Sequence, residues 1–247
     1  MSEDLDHLRR MEWLRGLSTA AIQDLLADVQ SRSIRKSASV ISEGHPAGML
    51  HVLTSGYAKV VQTTPHGARV LLRYIGPGEP FGMSSLIANR TYSADVITVS
   101  DAAELQWPAR AVREMLSKHP VFAVNAIQVF DERLRAAERT LGELSNEPVE
   151  QRIAQALLRL SGKLGRPMGT SIEVPFALTR QDIADMTGST LHTVSRVFQS
   201  WQGQGLMCAG RQRIAVSDVQ RLRAVADAAR SGETSPRRTH RRGQTCS

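Results

Sequence analysis

The sequence predicts an α+β chain: an N-terminal antiparallel β-roll of jelly-roll type, a long dimerisation helix, and a C-terminal winged helix-turn-helix. Three observations carry that prediction. Between 33 and 106, short alternating segments are punctuated by Gly44, Gly56, Gly67 and Gly78, spaced 12, 11 and 11 residues apart, which is the texture of antiparallel strands joined by turns. After His119-Pro120, apolar residues recur at spacings of three and four, as along one seam of a helix. From Phe176 to Gly205 two short apolar-faced helices flank Gly188, and a small hairpin follows.

Taken in order, residues 8 to 30 read as a short helix whose apolar set is Leu17, Ile22, Leu25, Leu26 and Val29. Leu50 to Leu53 and Tyr57 to Val61 read as strands, with Pro65-His66-Gly67 as a hairpin tip. Pro108 opens a short helix and His119-Pro120 a much longer one. In the latter, Ile127, Phe130, Leu134, Ala137, Leu141 and Leu144 form an a/d stripe between polar Glu132, Arg133, Arg135, Glu138, Arg139 and Glu143. The stripe is narrower than a core helix would show, so it predicts an intermolecular seam and a parallel homodimer. Asn146-Glu147-Pro148 is the expected hinge, because proline disfavours the helical conformation of the residue before it. Val149 to Leu164 read as an amphipathic helix with Ile153, Leu157, Leu158 and Leu160 inward. Residues 165–169 read as a loop, and Ile172 to Pro175 as a short strand. The expected units are 1–118, 119–147, 148–230 and a basic disordered tail, 231–247.

In the helix pair, Ile183, Ala184, Met186, Leu191, Val194, Val197 and Phe198 give each helix one apolar face. Thr179 and Asp182 fit a capping box, Ser189 or Thr190 can cap the second helix, and Gly188 allows a tight turn with positive φ. The second helix would offer Leu191, His192, Ser195 and Arg196 at its N-terminal end. Arg196 can bond guanine O6 and N7 together, and Ser195 and His192 can each donate or accept. An ordinary helical hairpin with a solvated basic edge would share the two helices. The segments 205–209 and 213–216, separated by Gly210-Arg211-Gln212, add the hairpin of a winged module.

Composition agrees with a two-domain nucleic-acid binder. The 247 residues are 41% hydrophobic but only 4% aromatic, so the cores must be largely aliphatic. The net charge of +7 suits a polyanionic partner. Two cysteines, Cys208 and Cys246, make no disulfide framework and cannot supply a four-thiolate cluster. A charged N-terminus and the lack of any long apolar run predict a cytoplasmic protein without a membrane anchor.

From Leu178 to Val216 the chain resembles the DNA-binding domain of the CRP/FNR superfamily, the cyclic AMP receptor protein and its relatives. Thr179-Arg180-Gln181-Asp182-Ile183-Ala184 matches the entry to the motif, and Thr193-Val194-Ser195-Arg196 its recognition helix. The FNR-like branch carries Glu, two residues, then Ser-Arg; here the Glu position is His192. The resemblance therefore implies DNA contacts from Ser195 and Arg196, with His192, Thr193, Thr190 and Arg180 completing the set. Glu43-Gly44, Ser55-Gly56, Gly67 and the run from Gly76 to Gly82 follow the family's β-roll turns. The resemblance thus spans roughly residues 14 to 225 and implies a cyclic-nucleotide-binding-like sensing domain.

Members that bind cyclic nucleotides do so through a Gly-Glu pair and an Arg-Ser/Thr-Ala triplet, a carboxylate for the ribose hydroxyl and a guanidinium for the phosphate. The matching positions here are Gly82-Met83, followed by Ser84, and Tyr92-Ser93-Ala94. Neither charge is present, which argues against cyclic AMP, with Arg90 the nearest replacement cation. Some relatives sense gases through haem, for which His45, His51, His66, His119, Met49 and Met83 are the available ligands. The iron-sulfur relatives' cysteine cluster is absent. The effector itself is not named by the sequence. The expected function is a non-enzymatic, homodimeric regulator that reads an inverted repeat in double-stranded DNA, with RNA polymerase contact implied by the resemblance. Two alternatives stand beside it: a haem-dependent sensor of the same family, and a ligand-binding protein whose helix-turn-helix contacts protein.

Overall fold

The computed structural model describes residues 11–210 and 213–228. A single 3-10 turn, Glu12–Leu14, precedes helix α1, Thr19–Ala27, which Ser18 caps by accepting from the Ala21 N–H. The short helix expected within 8 to 30 is α1, with Leu17 and Val29 of its expected apolar set falling just outside it. Gly16 at φ +80 turns the chain between the 3-10 turn and α1.

Eight strands follow: β1 Gln30–Ile34, β2 Ser39–Ile41, β3 Met49–Ser55, β4 Ala58–Thr63, β5 Arg69–Ile75, β6 Pro80–Phe81, β7 Asp95–Thr98 and β8 Ala102–Pro108. They build two four-stranded sheets, ordered β1-β8-β3-β6 and β2-β7-β4-β5, whose neighbouring strands pair antiparallel. The four regularly spaced glycines all sit at positive φ, from +78 to +82. At Gly56 the constraint is also steric, since a Cβ would lie 2.3 Å from the Asp101 carbonyl oxygen.

Alternation along β3 sends Leu50 and Val52 to one side and His51 and Leu53 to the other. Leu50 and Val52 join Trp13, Leu14, Ile22, Trp107 and Phe122 in a core beneath the helices. Leu53 joins Phe81, Tyr92 and Val96 inside the roll. Helix α2, Ala109–Lys118, then leads into α3, Pro120–Asn146, whose first position is proline. One face of α3 is welded to its own β-roll. Phe122 and Ala126 are buried there, and the Asn125 side chain donates to the carbonyls of Trp13 and Arg15 at 3.1 and 2.8 Å.

The remainder comprises α4 Val149–Leu164, strands β9 Arg166–Met168 and β10 Ser171–Glu173, helices α5 Arg180–Thr187 and α6 Leu191–Gly203, strands β11 Met207–Gly210 and β12 Arg213–Val216, and α7 Val219–Asp227. Two readings need correction. Residues 166–168, expected as loop, pair with 171–173 across Gly169, and the strand at 172 ends before Val174. The small sheet runs β11-β12-β10-β9, so Pro167 sits on an edge strand, where a missing N–H is tolerated. The expected tail, 231–247, lies outside the described residues.

The core of this second region is continuous with the sensing region. Tyr57, Val61, Leu71 and Tyr74 of the β4–β5 hairpin share one buried cluster with Leu164, Phe176, Leu178 and Phe198. The Phe176 ring lies 4.9 Å from that of Tyr57 and 4.6 Å from that of Tyr74.

Candidate nucleic-acid interface and effector pocket

The helix-turn-helix is built as its sequence dictates. Thr179 caps α5 and the full capping box forms: the Thr179 hydroxyl accepts from the Asp182 N–H at 3.0 Å, and Asp182 accepts from the Thr179 N–H at 2.9 Å. Gly188 closes the helix at φ +56, where a Cβ would meet Leu144 at 2.9 Å. Of the two residues that could cap α6, Thr190 does so, accepting from the Thr193 N–H at 3.1 Å. Val194, Val197, Phe198 and Trp201 turn inward, and the Trp201 indole donates to Glu150 at 2.9 Å.

Leu191 is the exception to the expected apolar face. It is 48% exposed and belongs to the outward surface instead. Beside it His192 and Arg196 are exposed, with Ser195 half-buried. Arg180 is exposed at the start of α5. The Thr190 and Thr193 hydroxyls lie 2.9 Å apart, so both are engaged in the cap. Leu178, Thr179, Arg180 and Leu191 also line a cleft that runs to Ala209, Gly210 and Ile214 of the wing hairpin. The structure thus gathers Arg180, Leu191, His192, Ser195 and Arg196 around one end of α6. Arg180, Leu191, His192 and Arg196 face solvent beside a wing and Ser195 is half-buried among them, a placement that suits major-groove reading.

The β-roll interior is arranged differently. Gly82 adopts φ +72, and a Cβ there would crowd the Met49 carbonyl oxygen and the His51 ring at 2.9 and 3.0 Å. Met83 is buried among the residues beneath the helices, Ser84 is half-buried and Ser93 exposed. Tyr92 is buried, and its hydroxyl is taken up twice by Met49, donating to the carbonyl at 2.8 Å and accepting from the N–H at 3.0 Å. Burial outweighs these bonds, so the Tyr92 phenol is held above its ordinary pKa.

His51 is buried, 3% exposed. It stacks on Phe81 at 5.1 Å and lies 6.4 Å from Tyr92. Its Nδ1 is 3.3 Å from Glu104, a fully buried carboxylate that Arg32 also meets at 2.5 Å. The other histidines available to a haem lie apart along the chain: His45 between β2 and β3, His66 at the β4–β5 tip, and His119 before α3, 3.5 Å from Asp24. Among the described residues, no group of three or more His, Cys, Asp or Glu is placed to hold a metal ion.

On α3 the predicted seam is outside the protein's own core. Ile127 is 65% exposed, Leu134 59% and Leu141 66%, while Phe130, Ala137 and Leu144 are also exposed. The stripe extends further than the sequence suggested, through Val124 and Val121. Their positions three and six residues before Ile127 were the available signal.

Residues 151–225 match the Crp-like helix-turn-helix domain, and residues 31–119 match the cyclic nucleotide-binding domain. The chain belongs to the CRP/FNR superfamily of transcription regulators. It is 26% identical over 215 residues to the CRP-like cAMP-activated global transcriptional regulator of Mycobacterium tuberculosis, covering 87% of this chain and 96% of that one. It is likewise 26% identical over 211 residues to the cyclic AMP receptor protein of Thermus thermophilus, covering 85% and 94%. The fold matches that of FixK2 from Bradyrhizobium japonicum with a TM-score of 0.70 at 23% identity, covering 80% of this chain and 96% of that structure. No helix among the described residues is long and apolar enough to cross a membrane.

Within this family the cyclic nucleotide site can be tested against the residues present. A ribose hydroxyl needs a strong acceptor and a cyclic phosphate a fixed cation. Met83 and Tyr92 provide neither, and the Tyr92 hydroxyl is already committed to Met49. These residues do not fit a cyclic nucleotide.

Proposed function

We propose that the protein is a homodimeric, sequence-specific DNA-binding regulator of cytoplasmic location, without enzymatic activity, that reads an inverted repeat through α6. The observation that supports this most directly is the pair of exposed side chains His192 and Arg196, with half-buried Ser195 between them, on a capped helix beside a wing. Arg196 would bond a guanine O6 and N7, Ser195 an adjacent base edge or phosphate, and His192 the base pair that a glutamate reads in the FNR-like branch. The exposed stripe on α3 supports a parallel dimer. Two such helices related by a two-fold axis would place their recognition helices in successive major grooves.

Effector control is part of this proposal: any ligand would act by binding one arrangement of heads better than another. The uncharged Met83 and the Tyr92 hydroxyl already bonded to Met49 favour an effector other than a cyclic nucleotide. RNA polymerase is the proposed protein partner, since the named relatives are transcription regulators.

Selection from a random duplex pool tests this reading. The expected product is an inverted repeat with half-sites about one helical turn apart. The His192→Glu variant should select a different base at one position of each half-site. A pool that returns no preferred sequence would overturn the proposal.

A further inference from the structure

Asp182 lies at the point where the reading head meets the sensing roll. Its Oδ2 accepts from the N–H and hydroxyl of Thr179, at 2.9 and 2.6 Å, and so holds the first turn of α5. Its Oδ1 accepts from Nζ of Lys59 at 3.1 Å, and Lys59 belongs to β4 of the roll. A single carboxylate therefore caps the helix-turn-helix and ties it to the sensing domain. Burial alone would raise the Asp182 pKa, but the Thr179 bonds and Lys59 outweigh it and hold the carboxyl below its ordinary value.

The other end of α5 is held separately. Arg152 donates to the carbonyls of Thr187 and Glu147, both at 2.9 Å, and Leu144 of the seam helix reaches the Gly188 turn. The head is thus mounted from two sides, by the hinge and seam helix at its turn and by the roll at its cap. The base-facing end of α6 remains uncovered.

We propose that Lys59 is a positioning residue for DNA recognition. Through Asp182 it fixes the orientation of the helix-turn-helix relative to the dimer seam, without itself touching DNA. This rests on the DNA-reading function proposed above. Its consequence is specific to paired sites. A rotationally loosened head can still dock on one half-site, but two loosened heads meet two fixed half-sites with a lower effective concentration.

The test uses the full chain and two duplexes, one with the selected inverted repeat and one with a single half-site beside scrambled sequence. In Lys59→Met the affinity for the repeat should fall about tenfold, the scale of one lost part-buried ion pair. Affinity for the single half-site and the salt dependence of both should stay as in the parent, and Lys59→Arg should restore repeat binding. Unchanged or tighter repeat binding overturns the proposal. So does an equal loss on both duplexes, which would mean a damaged head, or a shallower salt dependence, which would mean direct phosphate contact. Should Lys59→Met not fold, as judged by its thermal transition, Lys59→Gln gives the same readings. A parent protein that does not distinguish the repeat from scrambled DNA would instead refute the DNA-reading function, leaving the two failures distinct.

Discussion

The outer end of α6 and the interior of the β-roll place their polar side chains in opposite ways. At α6 the capping threonines look after the backbone, which leaves His192 and Arg196 turned to solvent and Ser195 half-buried beside them. In the roll, Tyr92 is bonded to Met49 and His51 is stacked on Phe81 beside Glu104. Polar groups inside a protein must find partners there, so a site that satisfies itself has little left for a ligand. Two regions with the same family resemblance thus differ in what they can still bind.

The sharpest way to break this contrast is at the proposed dimer seam, on which the proposed two-headed reading depends. Leu134→Glu places a charge on the exposed stripe and should convert dimer to monomer in sedimentation. DNA affinity should fall with it by roughly 10²- to 10⁴-fold, the scale of lost bivalency. Next in size is Arg196→Ala, which should cost about 1–3 kcal/mol per half-site in discrimination between selected and scrambled duplexes, with the thermal transition unchanged. The roll should respond in the reverse sense. Tyr92→Phe removes the hydroxyl that serves both Met49 groups and should lower unfolding stability by about 1–3 kcal/mol, while DNA affinity stays put. Cyclic AMP should leave the parent's unfolding midpoint unchanged, where a true ligand at 100 times its dissociation constant would add about 2.7 kcal/mol.

The smallest effect concerns the cap. Thr179→Ala should cost about 1 kcal/mol of stability in denaturant unfolding. The depressed Asp182 carboxyl gives this a pH signature. Its contribution is present above the unfolded value of about 3.9 and is lost as pH falls through the lower folded value. Parent and variant should therefore converge in stability under acid.

Much of this was legible in the sequence because local rules set it. The glycines at 44, 56, 67 and 78 marked turns that need positive φ, and the Thr179 to Asp182 spacing marked a capping box. The stripe on α3 could be read as lying outside the core because it was too narrow to be buried. What escaped depended on pairing at a distance. Strand β9 exists only against β10, and its Pro167 argued against it until an edge position was evident. Leu191 looked like core by type and proved to face outward. No spacing rule links Lys59 to Asp182, which lie 123 residues apart. Nor could alternation along β3 show that His51 would find a buried carboxylate in β8.

The core that joins the β4–β5 hairpin to the head also bears on how the molecule can be divided. Cutting at the Glu147-Pro148 hinge would follow both matched family segments, yet it would strip the cover from Tyr57, Val61, Leu71 and Tyr74 on one fragment and from Phe176 and Leu164 on the other. Each piece would carry a freshly exposed apolar face, an invitation to self-association. A protease acting on the native protein should accordingly leave two fragments that remain together after the bond is cut and part only in denaturant.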